Sequence, residues 1–85
     1  MGKDRASYRR EVVAANLKRL IGKGGIISVN DFVAKHGSDI RTVKRWRKEG
    51  VDSLSTITEI AATLGLTFLH LVLTEDEMKS FTDRQ

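Results

Sequence analysis

Residues 27–50, ISVNDFVAKHGSDIRTVKRWRKEG, contain the stretch that decides the fold. Two short amphipathic segments, about 29–36 and 40–48, lie on either side of a polar tripeptide, Gly37-Ser38-Asp39. Apolar side chains recur at helical spacing in both segments, and a glycine can end a helix in the left-handed conformation. We therefore predict two helices joined by a tight turn.

The ends and faces of these two helices follow from their residue types. Ser28, with Asp31 three residues later, resembles a capping box for the first helix, while Ser38 or Asp39 caps the second helix and Gly50 ends it. On the second helix, the side chains expected to point inward are those of Val43 and Trp46, together with Ile40. The side chains expected to point outward or to lie at the edges are those of Arg41, Lys44, Arg45 and Lys48.

Apolar periodicity predicts three further helices, over about 8–21, 54–64 and 67–73. Ser7 and Ser53 are candidate N-caps for the first two of these. The fifth helix is short and apolar nearly all round, so one of its faces is a candidate contact surface. The predicted organisation is all-α, with a basic arm over 1–7, a compact five-helix domain over 8–73 and an acidic tail over 74–85 that forms one more helical turn or frays.

Length and composition exclude several classes of protein. A chain of 85 residues forms one small domain, and the lack of cysteine excludes disulfides and thiolate metal sites. His36 and His70 are too few for a metal site, and no pattern arranges serine, aspartate and histidine as a catalytic triad. We expect no enzyme, no cofactor and no small-molecule ligand. No apolar run approaches the ~20 residues of a membrane span, and the charged N-terminus lacks a signal-peptide pattern, so we expect a cytoplasmic protein with no membrane partner.

Charge is distributed unevenly along the chain. Residues 1–48 hold 13 Lys and Arg against 4 Asp and Glu, a net charge of +9, whereas residues 49–85 have a net charge of −5. A basic end of this kind is suited to a polyanion such as nucleic acid.

The sequence resembles the lambda-repressor-like family of phage and bacterial regulators over about residues 10–73. Gly37 lies six residues before the buried aliphatic Val43, as the family's turn glycine does, and Thr42-Val43-Lys44-Arg45-Trp46 is similar to the family's recognition helix. Residues 54–71 resemble its fourth and fifth helices. The chain departs from the family pattern at Ser38, where a valine is usual. The resemblance implies a helix-turn-helix domain that binds double-stranded DNA as a repressor-like transcription regulator, associated with the nucleoid.

The resemblance also implies which residues contact DNA. The expected base-reading residues are Ile40, Arg41, Lys44, Arg45 and Lys48, whose basic members are of the type that donates to guanine O6 and N7. The expected phosphate contacts are Lys3, Arg5, Arg9, Arg10, Ser28, Asn30 and Arg47. A homodimer is expected through the fifth helix, at Phe68, Leu69, Leu71 and Val72.

Two alternatives stay open at this point. The segment Thr42–Gly50 also resembles the recognition helix of MerR proteins and phage excisionases, which follow it with a β-hairpin wing and can bend DNA; the helical periodicity of 54–64 favours the lambda-like interpretation. The apolar fifth helix and the acidic tail would also suit an antitoxin or adaptor that binds a protein partner.

Overall fold

A computed structural model of this protein describes the backbone of residues 9–83, and this part of the chain is mostly helical with no strand. Its six helices are α1 (Arg10–Leu20), α2 (Val29–His36), α3 (Ile40–Glu49), α4 (Leu54–Leu64), α5 (Leu69–Val72) and α6 (Glu75–Asp83). The predicted all-α class is confirmed. The bounds of α2 and α4 are those predicted from the sequence, α3 is one residue longer, and α1 and α5 are shorter.

The count of five helices is wrong for the described residues, because the acidic tail forms a complete helix, α6. Its start is fixed by a reciprocal capping box: the Glu77 N–H donates to the Thr74 hydroxyl at 3.1 Å, and the Thr74 N–H donates to the Glu77 carboxylate at 2.9 Å. This arrangement satisfies two backbone donors that a frayed end would leave to water. The Thr-x-x-Glu pattern is the sequence signal for this helix.

Polar side chains cap two of the other helices as predicted. The Ser28 hydroxyl accepts from the Asp31 N–H at 3.1 Å, and the Ser53 hydroxyl accepts from the Thr56 N–H at 3.4 Å. Asp39 occupies the N-cap position of α3 but makes no capping hydrogen bond. The predicted cap Ser7 lies outside the described residues.

One apolar core joins the helices. α1 packs against α3 and α5, and α2 packs against α3 and α4. Its largest fully buried side chains are those of Val13, Leu17, Ile21, Phe32, Val43, Ile57, Ile60 and Leu71. The apolar stripes predicted for α1 and α4 supply most of these, except that Leu54 at the start of α4 is 51% exposed.

The glycine-rich segment after α1 forms a closed loop. The Gly22 N–H donates to the Ile27 carbonyl at 2.7 Å, and the Ile26 N–H donates to the Leu20 carbonyl at 2.9 Å. Gly25 lies directly against the backbone of Leu20, where a Cβ atom would overlap the carbonyl group. This loop brings Ile27, two residues before α2, beside Ile21 at the end of α1, and α3 then packs against both α1 and α2.

A buried asparagine fastens α5 to α1. The Asn16 side-chain amide donates to the carbonyls of Leu71 at 2.9 Å and Leu73 at 2.8 Å, and its oxygen accepts from Arg19 at 3.2 Å. Asn16 is only 4% exposed. A four-residue helix such as α5 has little stability of its own, so these bonds and its buried leucine hold it in place.

Candidate nucleic-acid interface

The outer side of α3 is a continuous basic surface. At 3.6 residues per turn, Lys44, Lys48, Arg41 and Arg45 fall within an arc of about 100°, and all four side chains are exposed. We call these four residues the α3 basic face. Within the described part of the chain, no ion pair or hydrogen bond engages their charged groups. Four cations that have no partner in the described part of the chain are therefore exposed on one helix face.

The inner side of α3 anchors the helix. Val43 is fully buried as expected, and Trp46, which was expected to point inward, is half-buried and packs against the core. The Trp46 ring stands edge-on to the His36 ring, 5.8 Å between centroids, and the His36 ring stacks on Phe32 at 5.1 Å. These ring contacts pack α3 against α2, and they give His36 a structural role.

Ile40, at the start of α3, is 37% exposed, so the inward position expected from its spacing is wrong. Ile40 is the first residue of α3, and the buried residue of this helix is Val43, almost one turn later. The exposure of Ile40 agrees with the alternative expectation, taken from the family resemblance, that it faces a ligand next to the α3 basic face.

A groove lies on each side of α3. The groove next to α1 is lined by Ala14, Ala15, Lys18, Lys44, Arg47 and Lys48 and has a volume of about 300 Å³. The groove at the C-terminal end of α3 has a volume of about 410 Å³, and its charged lining residues are Arg10, Arg45, Glu49 and Asp52. The two flanks of the basic face therefore differ, since among the described residues carboxylates line only the second groove.

The structure places the expected phosphate contacts in different surroundings. Ser28 and Asn30 are exposed at the start of α2, although the Ser28 hydroxyl already caps that helix. Arg47 is half-buried, and its guanidinium lies against Gly22: a Cβ atom on that glycine would be 2.7 Å from Arg47 Nη2. Lys3 and Arg5 lie outside the described residues.

Arg9 and Arg10 are engaged within the domain. The Arg9 guanidinium donates to the Glu77 carboxylate at 2.7 and 3.0 Å and to the Val72 carbonyl at 3.1 Å. The Arg9 hydrogen bonds to the Glu77 carboxylate, followed by the bond from the Thr74 N–H, lower the pKa of Glu77 from 4.5 to about 2. Arg10 lies 3.9 Å from Asp52. Arg9 thus holds α6 against the domain. This structural role differs from the phosphate contact that was expected for Arg9.

The residues expected at a dimer interface divide into two pairs. Leu71 is fully buried and Val72 is 7% exposed, and both belong to the core of the chain itself. Phe68 and Leu69 are partly buried and pack against that core from outside. A second copy of the chain would therefore contact Phe68 and Leu69, and homodimerisation stays a prediction.

Sequence reasoning assigned no functional role to Lys18 or Gly22, which lie beside α3 through the packing of α1. The signal for Lys18 was its place four residues after Ala14 and three after Ala15, which puts a cation next to two small side chains on one helix face. No pattern in the sequence predicted that the Arg47 guanidinium would lie against Gly22, because the folding of the closed loop brings the two residues together.

The segment that follows α3 is helical. α4 begins four residues after Gly50, and residues 51–53 between them form no strand, so the β-hairpin wing expected of an excisionase-like protein is replaced by a helix. None of the helices in residues 9–83 has both the length and the apolar character needed to cross a membrane. No family model matches this sequence, and neither a curated protein nor a solved structure was found to be similar to it.

Proposed function

We propose that this protein is a sequence-specific, double-stranded DNA-binding transcription regulator that inserts α3 into the major groove. The observation that carries the proposal is the α3 basic face, four exposed cations without a carboxylate partner among the described residues, on a helix anchored from the opposite side by Val43. A helix presented in this way has an apolar side for the domain and a cationic side for a polyanion.

The dimensions and chemistry of the major groove suit this helix. The groove of B-DNA admits one α-helix, and arginine or lysine side chains donate to O6 and N7 of guanine at its floor. Ile40, exposed next to the basic face, is of the type that contacts a thymine methyl group. We assign base reading to Ile40, Arg41, Lys44, Arg45 and Lys48.

The arrangement of α2, the turn at 37–39 and α3 supports a lambda-repressor-like helix-turn-helix. The exposed start of α2 is where such a domain contacts the DNA backbone, and Asn30 is available there. A homodimer through Phe68 and Leu69 would place two copies of α3 on a palindromic site with half-sites about one helical turn apart.

The proposal is tested by fluorescence anisotropy with a labelled 20-base-pair DNA duplex of mixed sequence. The double variant Arg41→Glu, Arg45→Glu should bind roughly tenfold or more weakly than the wild type, because two phosphate-attracting cations become anions. Lys79→Glu, a charge reversal on exposed α6, is the matched control and should stay within about twofold. Circular dichroism verifies that each variant is folded.

A duplex RNA of the same sequence separates DNA reading from general attraction to polyanions. The major groove of A-form RNA is too deep and narrow for a helix, so the wild type should prefer the DNA duplex. Equal affinity for both duplexes, or equal losses in the double variant and in Lys79→Glu, would contradict insertion of α3. A folded wild type that binds neither duplex would favour a protein partner, as an antitoxin or adaptor requires.

A further inference from the structure

Among the described residues, cations and small side chains alone line the groove between α1 and α3. Lys18 comes from α1, and Lys44, Arg47 and Lys48 come from α3, while Ala14 and Ala15 supply the rest of the lining. Alanine leaves open space between the two helices where a larger residue would fill it. A small anion can therefore approach several positive charges at once in this groove.

Arg47 is held in this groove by packing. Its Nε atom is buried and has no hydrogen-bond acceptor among the described residues, and its guanidinium occupies the space that Gly22 leaves by lacking a Cβ atom. A fixed guanidinium that has no carboxylate partner within residues 9–83 keeps its charge available for an anion. Arg47 is thus positioned before any ligand arrives.

The second groove beside α3 provides an internal comparison. There Arg10 and Arg45 share the lining with Glu49 and Asp52, and Arg10 lies 3.9 Å from Asp52. Carboxylates repel an anion and compete for the cations. The two sides of the same helix therefore differ in their attraction for phosphate, and the side next to α1 is favoured.

We infer that Lys18 and Arg47, in the groove bordered by Lys44 and Lys48, bind a phosphate of the DNA backbone that borders the major groove, with α1 as part of the DNA-binding surface. This inference rests on the proposed function. Lys44 and Lys48 form the edge of the α3 basic face nearest to α1, so a strand that passes that edge reaches Lys18 next. The contact fixes the position of α3 along the duplex and does not select a base.

The test compares Lys18→Ala with the wild type and with Lys79→Ala, which removes the same charge from exposed α6. Affinity for duplex DNA is measured as a function of salt concentration, both on a preferred sequence and on random duplex. Lys18→Ala should weaken binding roughly threefold to tenfold on both DNAs. It should also reduce the slope of log affinity against log salt by about 1, as the loss of one phosphate contact does. Lys18→Arg should restore the slope, and Lys79→Ala should leave it unchanged.

A titration with inorganic phosphate, followed by amide chemical shifts, separates this inference from the proposed function. Shifts at Gly22 and Arg47 that disappear in Lys18→Ala support the anion site even if the protein fails to bind duplex DNA. An unchanged salt slope in Lys18→Ala, in a protein that does bind duplex DNA, would overturn the phosphate site and leave the role of α3 intact. A loss confined to the preferred sequence would also overturn it, because a phosphate contact carries no base preference.

Discussion

Replacing Asn16 by alanine should destabilise the domain more than any other exchange of one polar side chain in α1. The buried amide donates two hydrogen bonds, to the carbonyls of Leu71 and Leu73. Losing a buried bond whose partner is left unsatisfied costs about 1–3 kcal/mol, and a partly buried bond contributes about 1 kcal/mol. The sum is about 2–4 kcal/mol, a large fraction of the stability that a domain of this size has.

Thermal unfolding followed by circular dichroism measures this loss. For a domain of this length, 1 kcal/mol shifts Tm by about 4–8 °C, so a loss of about 2–4 kcal/mol in Asn16→Ala should lower Tm by about 8–32 °C. Asn30→Ala is the matched control: Asn30 is exposed in α2, and its exchange should change stability by no more than about 0.5 kcal/mol. If the two variants unfold within about 2 °C of each other, the Asn16 bonds do not hold α5 and our account of this contact is refuted.

Three further predictions concern backbone, charge and DNA contact. Gly50→Ala should lower the free energy of unfolding by more than about 3 kcal/mol, because φ is +86° there and a Cβ atom would overlap a backbone carbonyl at the start of α1. Gly37→Ala, at φ +84° with open space around it, should lower it by about 1–2 kcal/mol, and urea denaturation measures both losses. The pKa of Glu77 is lowered from 4.5 to about 2, so the ionised carboxylate stabilises the folded chain above pH 4.5, and this contribution is lost as the pH falls toward 2. When Tm is measured over that pH interval, the Tm of Glu77→Gln should therefore fall less than that of the wild type. Lys44→Ala should weaken binding to a preferred duplex more than binding to random duplex, and the difference between the two losses should be about 1–3 kcal/mol. Equal losses on both duplexes, or the same difference in Lys79→Ala, would show that Lys44 has no role in base reading.

The sequence predicted the elements that depend on local chemistry. Ser28, Ser53 and Gly37 define helix ends through bonds within a few residues, so α2 and α4 have the predicted bounds. The buried Val43 and the exposed basic face opposite it follow from helical periodicity alone.

Contacts between distant segments were not predicted. The amide of Asn16 reaches residues 55 and 57 positions away, and Arg9 reaches Glu77 across 68 positions. The pattern of residues along one helix does not show which other segment will pack beside it. Arg9 was therefore expected to contact phosphate, because its pairing with Glu77 could not be predicted from the sequence. Leu71 and Val72 illustrate the same limit, since an apolar helix can serve its own core or a partner, and only the packing of α5 on α1 decides.

Selection from random DNA duplexes by the purified chain, followed by sequencing of the retained fraction, tests base reading by α3 most directly. The account predicts a shared sequence that contains guanines, since the α3 basic face donates to O6 and N7, and a palindromic arrangement if two copies bind together. The enrichment should disappear in the double variant Arg41→Ala, Arg45→Ala while the chain stays folded. No enriched sequence from a folded wild-type protein would contradict base reading by α3.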